Sequence, residues 1–189
     1  MIKTAIVGNI ASGKSTVETI LISMGFKVLD TDKVCHCLLE KREIIDEFCN
    51  YDIFESGKIS RTKLGRLVFF NEELKQKLEN LMYPMVRQEI KQFFDINNSE
   101  PIVFVSAPQL FEAEMEDLFD KILFIYCDDE IRKKRLIARN GYSIEYAELR
   151  MSKQVSQNEK IKKSDWVIYN NTSLEDLKTS VSNLVAQIR

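Results

Sequence analysis

Short, continuous apolar runs alternate along this chain with stretches whose apolar residues recur every three or four positions. Residues 4–7, 26–29, 102–105, 122–126 and 166–169 read as five strands. The runs at 102–105 and 122–126 lack polar alternation, as expected of strands covered on both faces. Between them, residues 17–24 and 129–139, a stretch after residue 141, and residues 174–188 carry helical spacing; the last aligns Leu177, Val181, Leu184 and Ile188 on one face. Gly25 is a candidate C-cap for the first helix, and residues 170–173 form a loop and cap before the last. Residues 33–98 are almost wholly helical in pattern. They are interrupted by a turn over 52–60 around Gly57 and at Tyr83-Pro84, where a helix is expected to end or restart. Strands alternating with helices predict an α/β protein: three layers around a five-stranded parallel sheet. No repeat, linker or low-complexity tract divides it. The expected organisation is a single domain, with a core of 1–32 and 100–189 and a helical insertion at 33–98.

Composition narrows the class without naming the chemistry. With 189 residues and 44% hydrophobic content, the chain suits one domain with a sizeable core. Its 27 basic and 29 acidic side chains give a net charge of −2, which argues against broad nucleic-acid binding. No apolar run approaches the ~20 residues of a membrane span, and the N-terminus runs directly into the first strand, so a cytoplasmic protein is expected. The four cysteines fit a reducing compartment. Cys35 and Cys37 flank the single histidine, His36, but neighbouring helical positions point apart and no second ligand pair follows. Cys49 and Cys127 read as small core residues. None of the four is expected to be a nucleophile.

Candidate chemistry begins directly after the first strand. Residues 8–15 match the spacing G-x-x-x-x-G-K-[ST] between a strand and a helix, the context in which that pattern cradles phosphate. Gly8 and Gly13 permit backbone angles that turn successive N–H groups, over Ala11, Ser12, Gly13 and into Thr16, toward an anion at the helix start. Lys14 then places a charge on the outer phosphates, and the Ser15 hydroxyl can ligate Mg²⁺. The chain is therefore expected to bind a nucleoside triphosphate.

Ligands of open α/β sheets bind beyond the carboxyl ends of the strands. Asp32, just past the second strand, can take the proton of an attacking hydroxyl, help hold Mg²⁺ through water, or cap the following helix. Arg135 and Arg139 lie one helical turn apart, where two guanidinium groups can clamp a phosphoryl group. The break at Gly141 suits a mobile lid over about 135–155. For Arg132, Lys133 and Lys134 in the same run, a solvated basic face is the plainer alternative.

These elements together resemble the dephospho-coenzyme A kinase family of P-loop kinases. The resemblance rests on the phosphate loop, Asp30-Thr31-Asp32, the run from Gly57 through Arg61 to Leu64 with Val68-Phe69, and Pro108-Gln109-Leu110-Phe111-Glu112. It continues through the arginine-rich segment, Arg150 to Gln154, and the run from Ser164 to Asn170. It spans nearly the whole chain. It implies a P-loop NTPase-type fold with a helical substrate-accepting insertion and a lid, and transfer of the ATP γ-phosphoryl group to the ribose 3′-hydroxyl of dephospho-coenzyme A, the last step of coenzyme A synthesis. It also implies Asp32 as base, Lys14, Arg135 and Arg139 on the phosphates, Ser15 beside Mg²⁺, and Asn170 on the adenine side. Arg61, Phe69, Tyr83, Leu110 and Glu112 fall on the acceptor side.

The chain departs from the family pattern in places. Tyr83-Pro84 stands where the family usually has His-Pro, and tyrosine cannot carry a proton near neutral pH as histidine can. Gln109 replaces an apolar residue near the acceptor, and Asn9 and Ala11 replace glycines of the loop. Two other classes fit the loop alone: a nucleoside or nucleotide kinase, and a nucleotide-driven switch. Against the switch, the third strand ends Val105-Ser106-Ala107-Pro108 with no carboxylate at its tip.

Overall fold

The computed structural model describes residues 1–188. Strands β1 (Ile2–Val7), β2 (Lys27–Asp30), β5 (Ile102–Ser106), β6 (Lys121–Tyr126) and β7 (Trp166–Tyr169) form one sheet in the order β2-β5-β1-β6-β7. Central β1 pairs in parallel with β5, Ile2 opposite Ile102 and Ile6 opposite Ser106, and with β6, Val7 opposite Phe124. This register sets the carboxyl ends of β1 and β5 side by side. All five expected strands are present.

Two compact units divide the chain, one of Met1–Leu29 and the residues from Asn97 onward, the other of Asp30–Ile96. In the first, α1 (Lys14–Ser23) and α9 (Leu174–Ile188) cover one face of the sheet. Val17 and Leu21 of α1 and Leu177 and Val181 of α9 meet Ile6, Phe104, Leu123 and Ile125 there. Each such side chain withdrawn from water contributes about 1.5–3 kcal/mol, so burial fixes where α1, and with it the loop before it, can sit. Further along lie α6 (Asp129–Asn140), α7 (Ile144–Ser152) and α8 (Gln157–Lys162). Gly141, at φ 65°, caps α6 in the left-handed conformation and turns the chain into α7.

The second unit holds α2 (Thr31–Leu38), α3 (Arg42–Phe48), the short strands β3 (Phe54–Glu55) and β4 (Lys58–Ile59), α4 (Arg61–Phe69) and α5 (Glu72–Ile96). Two expectations are corrected here. The chain does not break at Tyr83-Pro84: α5 runs through Pro84 for 25 residues. Leu74, Met82, Val86, Ile90 and Phe94 keep one buried stripe across the proline, and Pro84 itself is exposed, so its ring faces water. Packing along the stripe outweighs an interior-proline cost of about 3 kcal/mol. Cys49 is exposed rather than core, because α3 buries Ile44 and Phe48 and the next residue turns away. The turn around Gly57 is a hairpin, with Phe54 opposite Ile59 and Ser56 and Gly57 both at positive φ.

Candidate active site

The loop between β1 and α1 owes its shape to two glycines and one strained residue. A Cβ on Gly8 would lie 2.5 Å from Ser12 Oγ and 3.1 Å from the Ile125 carbonyl. Gly13 sits at φ 95°, and a Cβ there would be 2.0 Å from Asn170 Nδ2. Ala11 takes φ 62°, so this residue, where the family more often has glycine, still adopts the left-handed conformation. Gly13 is the N-cap of α1 without a side-chain cap bond, and the first turn holds no acidic residue. Helix N–H groups left without a side-chain partner, at a positive dipole end, fit a phosphate.

Side chains from distant segments hold the loop. The Arg132 guanidinium donates through Nε to the Ile10 carbonyl at 3.0 Å, and the Ile10 N–H donates to Gln154 Oε1 at 2.8 Å. Asn9 Nδ2 donates to the Val155 carbonyl at 3.0 Å, and Asn170 Nδ2 to the Ser12 carbonyl at 2.7 Å. Arg132 is only 2% exposed, which corrects the reading of a solvated basic face at that position. Burial works against its charge and the Asp129 carboxylate, 2.8 Å from Nη1, supports it. Lys133 instead pairs with Glu130 and Glu148 near the surface, and Lys134 is exposed. Nothing in the local sequence distinguishes Arg132 from its basic neighbours; only its contacts do.

Lys14 lies among polar partners. Its Nζ donates to Glu18 Oε1 at 2.9 Å and to Ser106 Oγ, and Ser106 Oγ donates to the same carboxylate oxygen at 2.5 Å. Glu18 and Ser106 were not among the expected site residues. Glu18 is four residues after Lys14 on α1, a spacing that is legible as an ion pair, but its apolar neighbours gave it no chemical context.

The two arginines expected of a lid part company. Arg135 Nη2 donates to the Asn170 carbonyl at 3.2 Å, and Nη1 approaches Cys127 Sγ at 3.4 Å. With Gly13, Thr16, Asn170, Thr172, Leu174 and Leu177 it lines a pocket of roughly 210 Å³ beside the start of α1. Arg139 is exposed and bonds locally, Nε to Asn140 Oδ1 at 2.9 Å. Ser15 and Thr16 stand in the first turn of α1.

On the expected acceptor side, Leu110 is 1% exposed and packs inside. Glu112 accepts from Lys160 Nζ at 2.8 Å, and that lysine is itself 1% exposed. In the helical unit, Asp32 is exposed in the first turn of α2, and the N-cap is Asp30, whose Oδ1 accepts the Asp32 N–H at 3.0 Å. The capping role considered for Asp32 thus falls to Asp30. Burial first, then the Asp32 and Asp30 charges, pushes the Cys35 thiol up to about 11, so it is no thiolate at neutral pH. Arg61 opens α4, Phe69 closes it edge-on to Phe70 with ring centres 4.9 Å apart, and Tyr83 is partly buried in α5.

A family model for dephospho-CoA kinase matches residues 2–176. The chain belongs to the dephospho-CoA kinase family. It is 40% identical over 185 residues to the dephospho-CoA kinase of Fusobacterium nucleatum, covering 96% of this chain and 95% of that one. Against the solved dephospho-CoA kinase of Campylobacter jejuni the TM-score is 0.74 at 32% identity, covering 98% of this chain and 96% of that one. A crystal structure from Thermus thermophilus superposes at 0.86 with 34% identity, covering 100% of this chain and 98% of that one. Shikimate kinase from Bacteroides thetaiotaomicron, at 15% identity and TM-score 0.58, shares the fold. The family uses ATP, and the parallel-sheet architecture around the loop is that of a P-loop kinase.

Proposed function

We propose that this kinase transfers the γ-phosphoryl group of ATP to the ribose 3′-hydroxyl of dephospho-coenzyme A, giving coenzyme A and ADP. One observation carries the nucleotide half of the reading: a glycine-capped helix start with no side-chain cap and no acid in its first turn, beside a lysine whose side chain is 11% exposed. The N–H groups from Ala11 to Thr16 cradle the phosphates, and Lys14 takes the charge that develops on the transferring group. Ser15 would hold Mg²⁺, which supplies charge neutralisation across the phosphates. The pocket beside Gly13, with Arg135 and Asn170, takes the nucleoside portion.

Asp32 supports the acceptor half, since it is exposed and relieved of helix capping by Asp30. In the step itself, the 3′-oxygen forms a bond to the γ-phosphorus, the bond to the β–γ bridging oxygen breaks, and the hydroxyl proton passes to the Asp32 carboxylate. The helical unit, with Arg61, Phe69 and Tyr83, receives the acceptor. The α6–α7 corner over 135–155 forms the lid, bringing Arg139 inward on closure. The enzyme works in the cytoplasm on a small molecule, in keeping with four cysteines that are all free thiols.

ADP release measured with dephospho-coenzyme A, adenosine, AMP and water as competing acceptors tests this directly. Strong stimulation by dephospho-coenzyme A alone is expected. Equal or greater turnover with AMP or adenosine would overturn the acceptor assignment, and turnover with water alone would overturn the kinase reading.

A further inference from the structure

Strand β5 ends at Ser106 without an acidic residue, yet a carboxylate reaches its tip. It comes from α1: Glu18 Oε1 accepts both from Ser106 Oγ at 2.5 Å and from Lys14 Nζ at 2.9 Å, while Lys14 also donates to Ser106 Oγ. The three groups close a triangle in which the Lys14 side chain is 11% exposed and that of Glu18 9%. A charged pair this dry is costly to desolvate and is weak support for stability. It has a clear geometric consequence, however. An ammonium has three N–H donors, and Glu18 and Ser106 engage two of them, which fixes the direction of the third.

We propose that Glu18 is a positioning residue for Lys14: with Ser106 it holds the ammonium at the β5 tip so that its remaining donor meets the transferring phosphate, and it supplies from α1 the carboxylate that β5 lacks. This rests on the reading that Lys14 meets the phosphates. Two effects then oppose each other in the ground and transition states. The Glu18 charge offsets part of the attraction of Lys14 for ATP, and the orientation it imposes accelerates transfer. Removing that charge tightens nucleotide binding and slows the reaction, a combination that loss of folded protein does not produce.

The test measures kcat, and affinity for a non-hydrolysable ATP analogue, in Glu18→Gln, Ser106→Ala, Lys14→Ala and the Lys14→Ala/Glu18→Gln pair. Glu18→Gln, which keeps the side chain's shape, is expected to lower kcat about tenfold or more while tightening analogue binding about threefold. Ser106→Ala, which removes one corner without touching a charge, is expected to lower kcat several-fold with affinity little changed. In the Lys14→Ala background Glu18→Gln has no further effect on analogue affinity, because Glu18 acts through Lys14. An unchanged kcat in both Glu18→Gln and Ser106→Ala overturns the proposal, as does a Glu18→Gln effect on affinity that persists without Lys14. If Lys14→Ala itself retains full turnover and affinity, the underlying reading of the loop fails, and the positioning role fails with it; that outcome is distinct because it appears in the single Lys14 variant.

Discussion

The side chains that hold the phosphate loop in the sheet unit and the polar candidates Asp32 and Arg61 of the helical unit are presented in opposite ways. In the sheet unit, polar side chains around the loop are bonded inward: Arg132 to Ile10, Asn170 to Ser12, Lys14 to Glu18. In the helical unit Asp32 and Arg61 are exposed, and an ion pair such as Lys58–Glu40 keeps both side chains more than half in water. The contrast teaches where preorganisation resides. A phosphate site must be rigid before its ligand arrives, because donors that need no rearrangement at the moment of reaction give the largest electrostatic stabilisation. A site for a large, flexible acceptor can leave its side chains solvated and draw on binding for their order.

Breaking the rigid side should cost most. Lys14→Ala is expected to abolish measurable phosphoryl transfer, on the order of 3 kcal/mol or more of transition-state stabilisation, while circular dichroism shows a folded sheet. Near-native turnover would remove the proposed role of the loop. On the solvated side, Asp32→Asn is expected to lower kcat by roughly 10²-fold with little change in ATP affinity. Because Asp30 caps α2, the melting temperature should hardly move; a drop in stability alone would return Asp32 to a structural role.

The two arginines sharpen the comparison within one helix. Arg135 lines the pocket beside Gly13 and touches Asn170, whereas Arg139 bonds to its neighbour Asn140. Lysine keeps the charge but loses the planar fork. Steady-state rates should therefore fall strongly in Arg135→Lys and less in Arg139→Lys. Wild-type rates in both would make these surface charges and end the lid proposal.

The smallest effect expected is one of stability. Burial raises the Asp165 carboxyl, but hydrogen bonds from Lys121, 2.7 Å away, and the Ile122 N–H, at 2.8 Å, outweigh it and hold the group below its ordinary value. A depressed folded value means the contribution is complete above the unfolded value of about 3.9 and is lost as pH falls through the folded one. Asp165→Asn should thus lower the melting temperature at pH 7, by an amount that shrinks below about pH 4. In the helical unit, Glu40→Gln at the exposed Lys58 pair should leave melting unchanged at either pH.

The sequence by itself determined the five strands, the loop with Gly8, Gly13 and Lys14, and the family, because each is written in local pattern: apolar runs, helical spacing, and glycines at fixed separations. It misplaced the end of a helix at Pro84, since a proline's local cost is visible in sequence while the buried stripe from Leu74 to Phe94 that outweighs it exists only once the helix is packed. It could not tell Arg132 from Lys134, nor find Glu18 and Ser106. Lys14 and Ser106 are 92 positions apart, and Asn9 and Val155 146 apart. Lys14 and Ser106 meet because β1 and β5 set their carboxyl ends side by side, and Asn9 meets Val155 where the connection between α7 and α8 reaches the loop; which donor reaches which acceptor is decided by packing that no local window contains.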